Sequence, residues 1–331
     1  MNPNTINRII HRREQKFSNC SQRCDQTLSR IFEIELNLSR LNSELKILIA
    51  QSIIQNLIYD SINDIHKTEM KVFSQWGEDG IIQWLIQRVP IKNQVFVEFG
   101  VENYRESNTR FLLIANNWKG LVIDSSEKNI KDIKSSEIYW KYQLQAIASF
   151  VHRDNINSLL EGEGIVGDIG LLSIDIDGND YWVWEAISVI SPRIVICEYN
   201  SIFGAEKAIS IPYNQNFQRT QAHYSNLYYG ASLPALCRLA EQKGYVFVGS
   251  NSAGNNAFFV RKDLSSGLPS LSAKEGYVMS LYRESRDEEG NLSHISGEKR
   301  LQVISDMPVV NVINNSIYLI SDIFLKNNQS L

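Results

Sequence analysis

What the 331-residue chain lacks narrows it before any motif is read. No uninterrupted apolar run reaches the roughly 20 residues needed to cross a bilayer. The N-terminus is polar and basic, without the apolar core of a signal peptide. Basic charge is not in excess: 33 Lys and Arg face 37 Asp and Glu, for a formal net charge of -4. A general nucleic-acid binder normally carries a basic face, so that class is disfavoured, although a local basic cleft stays open. Cysteine is scarce, with four residues. Cys20 and Cys24 stand one helical turn apart in NCSQRC, yet no second pair or nearby His completes a zinc set. Unpaired thiols are expected ahead of a metal site or an interchain disulfide, and the expected location is the cytoplasm.

Glycine is absent from residues 1–70, and Pro3 is the one proline there. Apolar residues in this stretch fall at Ile31, Ile34, Leu38, Leu41, Leu45 and Leu48, the a and d spacing of nearly three heptads. The next a position is Ser52, and the pattern resumes out of step at Ile53 and Leu57. A short coiled coil or a helical hairpin is expected, with self-association favoured over packing on the chain's own body. Charge here is sparse and mixed, which disfavours a lipid-surface role.

A different unit begins at FSQWGEDGIIQWLIQRV, where Asp79 is placed to cap a helix bearing Ile81, Ile82, Trp84, Leu85 and Val89. Beyond it apolar runs alternate with helical stretches. VFVEF (95–99), GLVID (120–124), YQLQAIA (142–148), GLLSID (170–175) and RIVICEY (193–199) read as strands. Helices are expected near 107–117, 126–135, 154–161 and 181–189. Continuous Val/Ile/Leu strands separated by helices indicate an α/β fold with a parallel sheet covered on both faces. LPALCRLAEQKG (233–244) reads as a helix stopped by Gly244. YVFVGSN (245–251) and NAFFVRKD (256–263) then form an antiparallel hairpin. The outline, mostly parallel with an antiparallel hairpin at the end, is similar to the Rossmann-like sheet of class I S-adenosylmethionine (SAM) methyltransferases. The expected division is a helical oligomerisation segment at 1–70, the α/β domain at 71–264 and a C-terminal extension at 265–331. In that extension YRESRDEEGNLSHISGEKR suggests a flap. VISDMPVVNVI and SIYLISDIFL suggest edge strands or a docked helix.

Ligands of open α/β sheets bind at the carboxyl ends of the strands, near the switch in strand order. VFVEFGVENYRESNTRFLL puts Glu98, Gly100, Glu102, Asn103, Ser107, Asn108 and Thr109 there. Gly100 stands alone where a dinucleotide site would show several glycines. Glu98 and Glu102 would repel a pyrophosphate, which prefers bare N–H groups, yet suit the sulfonium and ammonium of SAM. SAM is therefore favoured over NAD. Asp124 ends the second strand at the distance expected of a ribose-binding acid, and Ala148 and Ser149 end the third, where an adenine edge would lie.

SIDIDGNDYWVWEAI and the following CEYN bring a second set: Asp175, Asp177, Asn179, Asp180, Glu198 and Asn200. Adjacent parallel strands lie about 4.8 Å apart, so these groups can converge. Oxygen-only ligands suit Mg²⁺, Mn²⁺ or Ca²⁺, and an ion there would bind and acidify a substrate hydroxyl. The same acids without metal would serve as general base and hydroxyl clamp. Asp175 and Asp177 are the candidate catalytic acids. His223, in the polar and aromatic loop QAHYSNLYYGASL, is the candidate histidine base. His152 in FVHRDN is placed to stack near an adenine; His11, His66 and His294 read as surface residues. Trp182, Trp184, Tyr228 and Tyr229 are candidate faces for a sugar ring, with core packing the expected role of the two tryptophans.

Taken together, FSQWGEDGII, FVEFGVENYRESNT, WKGLVIDSS, LLSIDIDGNDYWVW, IVICEYN and YYGASLPALCRLAEQKGYVFVGSNSAGNNAFFV resemble a bacterial branch of the FkbM-like SAM-dependent methyltransferases. The resemblance spans about residues 72–312. It implies O-methylation of a sugar hydroxyl on a surface polysaccharide or glycosylated metabolite. It implies a SAM loop carrying Glu98, Gly100, Ser107 and Asn108, with Asp124 on the ribose. By likeness to metal-dependent methyltransferases, Asp175, Glu198 and Asn200 would hold a Mg²⁺ or Mn²⁺ ion. The sequence departs from the usual glycine-rich loop in having Val101-Glu102-Asn103-Tyr104 after Gly100. Residues 1–70 fall outside the resemblance. The alternative of another class is a catalytically silent methyltransferase-like scaffold assembled by its coiled coil.

Overall fold

The structure, a computed structural model, describes residues 3–57, 64–280 and 284–324; in the first helix the described side chains are those of 22–55. The chain divides into two compact units, Met1–Ile53 and Ile54–Leu331. None of the helices among the described residues is long and apolar enough to cross a membrane.

The first unit is built on one helix, α1 (Pro3–Leu57), about 80 Å long at 1.5 Å per residue. It is continuous rather than a hairpin. Pro3 sits at its first position, where proline is tolerated, and the glycine-free stretch beyond offers nothing to break it. Ile31, Ile34, Leu38, Leu41, Leu45 and Leu48 are all exposed, between 48% and 63%. Cys24 is exposed and free; Cys20 and His11 lie outside the described side chains.

In the second unit the parallel strands are β1 (Val95–Phe99), β2 (Lys119–Asp124), β3 (Leu144–Ala148), β4 (Gly167–Ile174) and β5 (Ile190–Glu198). A short β6 (Ile209–Ser210) belongs to another sheet; β7 (Tyr245–Ser250) and β8 (Asn256–Arg261) form the terminal hairpin. The main sheet has the order β3-β2-β1-β4-β5-β8-β7. β8 runs antiparallel to both of its neighbours, and the other pairings are parallel. This is the expected α/β, Rossmann-like sheet, mostly parallel with an antiparallel hairpin at its end.

Between α1 and the terminal hairpin the helices are α2 (Glu78–Arg88), α3 (Arg110–Ala115), α4 (Glu127–Ser135), α5 (Glu137–Lys141), α6 (Ile156–Gly162), α7 (Asp180–Ala186), α8 (Arg219–Ala222) and α9 (Leu233–Gln242). Successive strand residues point to opposite faces, so the sheet divides two cores. Val97, Phe99, Leu172, Ile174, Val195 and Phe259 pack with α6, α7 and α9. Phe96, Leu171, Ile194, Ile196 and Phe258 pack with α2, α3 and α4. Asp79 does not cap α2, whose first turn it occupies. Its Oδ2 instead accepts hydrogen bonds from the backbone N–H groups of Val72, Phe73 and Ser74, and from the Ser74 hydroxyl, at 2.7 to 2.9 Å.

The tail forms both strands and short helices. β9 (Pro308–Asn311) pairs with β6 and with β10 (Ser316–Leu319), and a short helix, Ile320–Phe324, follows. A third apolar cluster, around Phe203, Ile209, Ile304 and Val309, lies beneath this sheet. Tyr282 and Arg283, at the start of the expected flap, lie outside the described residues.

The strand order reverses between β1 and β4, and there the two chain segments nearly touch. Gly100 follows β1 with φ +74, and a Cβ on it would stand 1.6 Å from the Asp175 carbonyl oxygen. Gly100→Ala is therefore expected to destabilise the fold by about 2 kcal/mol or more, from left-handed backbone and clash together. An unchanged urea midpoint would contradict this close approach.

Candidate functional site

The site starts from a carboxylate buried at a strand end. Glu98, near the end of β1, is only 4% exposed. It accepts hydrogen bonds from the Ser107 hydroxyl (2.9 Å), the Asn108 N–H (2.9 Å), the Thr109 N–H (3.1 Å) and the Thr109 hydroxyl (2.5 Å). Burial still pushes its pKa above the ordinary carboxylate value. By holding residues 107–109 as a turn, it delays the start of α3 to Arg110, three residues beyond the expected start.

The loop between is held by side chains rather than by extra glycines. Glu102 and Tyr104 both adopt left-handed backbone, with φ of 47 and 61. Tyr104 is buried. Its hydroxyl lies 3.0 Å from Thr109 Oγ1, and its carbonyl accepts from the Arg110 guanidinium at 2.6 Å. Asp124 at the end of β2 pins the loop with Oδ2, which accepts from the Glu102 N–H at 2.8 Å. Its Oδ1 accepts from the Ser126 N–H (2.9 Å) and from Asn129 Nδ2 (3.1 Å).

Above this loop lies a cleft of about 590 Å³, at the switch point of the sheet. All six residues expected to hold the cofactor, Glu98, Gly100, Ser107, Asn108, Asp124 and Ser149, line it. Asp175, Asp177 and Glu198 line it as well. One carboxylate oxygen from each of these three falls within 4.8 Å of the others. Asp180 holds the loop that presents the first two, accepting from the N–H groups of Ile176 (2.8 Å) and Gly178 (2.9 Å). Burial, and next the charge of Glu198, push the pKa of Asp180 up to about 7.

Several expectations are corrected by the geometry. Asn200, expected among the metal ligands, donates from Nδ2 to the carbonyls of Leu227 and Tyr229, and its Oδ1 accepts from the Ile202 N–H. Its amide is spent on turning the chain after β5, and Asp177 stands in the acidic cluster instead. His223 does not line the cleft: its Nδ1 is engaged with Ser225, 2.8 Å from the hydroxyl, and burial lowers its pKa. His152 turns to Gln215 at 3.3 Å, leaving Phe150 at the cleft wall. Trp184 and Tyr229 are core residues; Trp182 donates to the Ile211 carbonyl and Tyr228 to the Pro308 carbonyl.

Residues that the motifs did not single out also line the cleft: Trp76, Phe150, Phe217, Arg219 and Asn256. Trp76 lies within FSQWGEDGII, so its motif was visible but its exposure was not. Arg219 arrives from α8, donates to Asp177 Oδ1 at 2.5 Å and lies 4.3 Å over the Tyr229 ring. No local pattern announces it, because its carboxylate partner is 42 residues away.

No family model matches this chain, nor does any curated protein. Among solved structures it is similar to the N-terminal domain of EvdMO1 with S-adenosylhomocysteine (SAH) bound, at 9% identity over 55% of this chain and 79% of that one, with a TM-score of 0.37. It is similar also to SAM-dependent methyltransferases from Clostridium acetobutylicum (8% identity, 50% and 83% covered, TM-score 0.32) and Aquifex aeolicus (9%, 54% and 87%, 0.31). Likenesses this remote carry no weight for function, which rests on the residues above.

The raised pKa of Asp180 has a consequence for stability. Its carboxyl titrates near 3.8 when unfolded and about 7 when folded, so the folded state binds more protons between those values. Its contribution is complete below about pH 4 and is lost as pH rises through 7. Asp180→Asn is expected to flatten the decline in urea midpoint between pH 5 and 8 relative to the wild type. Equal slopes for the two proteins would remove Asp180 as the cause.

Proposed function

We propose that this chain is a SAM-dependent O-methyltransferase acting on a sugar hydroxyl, of a surface polysaccharide or a glycosylated metabolite. The observation that carries the reading is the Gly100 cleft: a nucleoside-sized site at a sheet switch point, walled by carboxylates from eight residues and a single guanidinium. Such a wall repels a pyrophosphate cofactor and suits a cationic sulfonium with an ammonium. The motif resemblance to FkbM-like enzymes supports the glycan class.

The chain supplies a fixed strand-end loop for the methionine portion, the Asp124 carboxylate for ribose hydroxyls, and Ser149 with the half-exposed Phe150 for adenine. SAM brings an electrophilic methyl on a sulfonium and departs as neutral SAH. Transfer needs the acceptor oxygen in line with that methyl and needs its proton removed, and positioning lowers much of the barrier. Asp175 and Asp177 are the proton acceptors in reach of the cleft. The donor set also fits a hard divalent ion: Asp175, Asp177 and Glu198 converge as oxygen ligands, while Asn200 is committed elsewhere. A Mg²⁺ or Mn²⁺ ion there would acidify a bound hydroxyl. Arg219 now balances Asp177, so the ion would have to displace that guanidinium.

Calorimetry with SAH tests the reading. The wild type is expected to bind, and Asp124→Ala to bind about tenfold or more weakly, since it loses hydrogen bonds to a charged group. Absence of binding to both SAM and SAH would overturn the enzyme reading and favour the scaffold. Self-association through α1 is part of the proposal. The a and d positions from Ile31 to Leu48 form a self-complementary apolar seam, so its occupant is a second copy of the same helix. Light scattering should find an oligomer that Leu41→Lys with Leu45→Lys reduces to monomer. A wild type that stays monomeric at high concentration would reject it.

A further inference from the structure

None of the four candidate sugar faces lines the cleft: Trp184, Tyr228 and Tyr229 are buried and Trp182 is half-buried, so the proposed acceptor needs an aromatic face from elsewhere. One wall of the cleft supplies it. Trp76 lines the cleft and is 47% exposed, a large apolar surface left open to water. Its loop is not loose. Asp79 gathers the N–H groups of residues 72–74, and Glu78 Oε2 accepts those of Trp76 (2.9 Å) and Gly77 (2.8 Å). The Gln75 carbonyl accepts from Lys71 Nζ at 2.7 Å, and the Phe73 carbonyl from the Ser107 N–H at 3.1 Å. A loop backbone fixed this firmly, at the edge of a polar cleft, loses little freedom when a ligand covers the indole it carries.

The same glutamate reaches the opposite way. Glu78 is fully buried, and its Oε1 accepts from Asn256 Nδ2 at 3.0 Å. That bond fixes the orientation of the Asn256 amide. Asn256, itself 4% exposed, is the cross-strand partner of Glu198. Its Oδ1 has no hydrogen-bond partner among the described residues. Asn179, also at the cleft, gives its Nδ2 to the Asn214 carbonyl at 2.8 Å and likewise keeps an unpartnered Oδ1. Together with Asp175, Asp177 and Glu198, this part of the cleft offers oxygen acceptors, with Arg219 as its donor of positive charge.

An aromatic face beside a row of acceptors matches one ligand shape well. A pyranose ring has an apolar face of axial C–H groups and a rim of hydroxyl donors. We propose that Trp76 is the acceptor platform: the C–H face of a pyranose lies on its indole, and the ring hydroxyls donate to the carboxylates of Asp175, Asp177 and Glu198. A phosphorylated or carboxylated sugar would meet those acids as like charges, so the ring is uncharged at the groups that enter. The proposal rests on the glycan-methyltransferase reading and narrows its acceptor.

The test uses the full chain saturated with SAH and three probes: methyl glycopyranosides of gluco, galacto and manno configuration. Saturation-transfer-difference NMR should show transfer to ring C–H protons of at least one probe in the wild type. In Trp76→Ala the affinity for that probe should fall about three- to tenfold, the usual worth of an aromatic contact, and Trp76→Phe should recover part of it. SAH affinity by calorimetry should be unchanged in both variants. Undiminished transfer in Trp76→Ala overturns the proposal, as does absence of transfer from all three probes in the SAH-loaded wild type. A loss of SAH affinity in Trp76→Ala also overturns it, because the indole would then belong to the cofactor. Failure of the wild type to bind SAH would bring down the methyltransferase reading itself, and the calorimetry tells the two failures apart.

Discussion

A carboxylate taken out of water has to be met by donors, since an unpaired buried charge costs several kcal/mol. The cleft is built on that constraint. Glu98 gathers residues 107–109, Asp79 gathers 72–74, Glu78 gathers Trp76 and Gly77, and Asp180 gathers Ile176 and Gly178. Each acid stands at a strand end or in the first turn of a helix, and each converts a loop into a fixed wall. Three of them carry raised pKa values because burial outweighs the hydrogen bonds they receive.

This construction accounts for the sparse glycines. A glycine-rich loop lets backbone N–H groups close around a phosphate. Here the loop needs one glycine, Gly100, where β1 and β4 nearly touch. The remaining turns are taken by Glu102 and Tyr104 in left-handed backbone, held by Asp124 and by the buried Tyr104 side chain. The resulting cavity is walled by acids, which is the basis for proposing a cationic methyl donor. Arg219 keeps the acid cluster from being uncompensated, with Tyr229 beneath it.

Much of the sheet was legible because strand runs of Val, Ile and Leu are hard to read otherwise. VFVEF is β1 residue for residue, and the hairpin of β7 and β8 lies where its turn residues placed it. The cleft-lining acids were legible for a related reason: strand ends at a switch point are where polar groups collect. Asp79 was misread because a helix-start acid usually caps its own helix, whereas this one is turned back to the preceding loop. Asn200 and His223 were misplaced because both look like free polar groups in sequence. The chain at residues 225–229 provides the partners that occupy Asn200 Nδ2 and His223 Nδ1. Tyr228 and Tyr229 were misread for the same cause, whereas Trp184 packs in the core as expected; their burial and the exposure of Trp76 depend on what packs against each.

By itself, then, the sequence determined the local periodicities: a long glycine-free helix with a heptad seam, an alternation of apolar strands and helices, and acids at the strand ends. Periodicity is a property of neighbours along the chain, so it can be read there. The tertiary structure alone decided which carboxylates hold loops and which face the cleft. It also placed Arg219 opposite Asp177 and stood Trp76 open at the wall. Those outcomes depend on which donors, acceptors and apolar surfaces meet across distances of tens to hundreds of residues, as when Glu78 reaches Asn256.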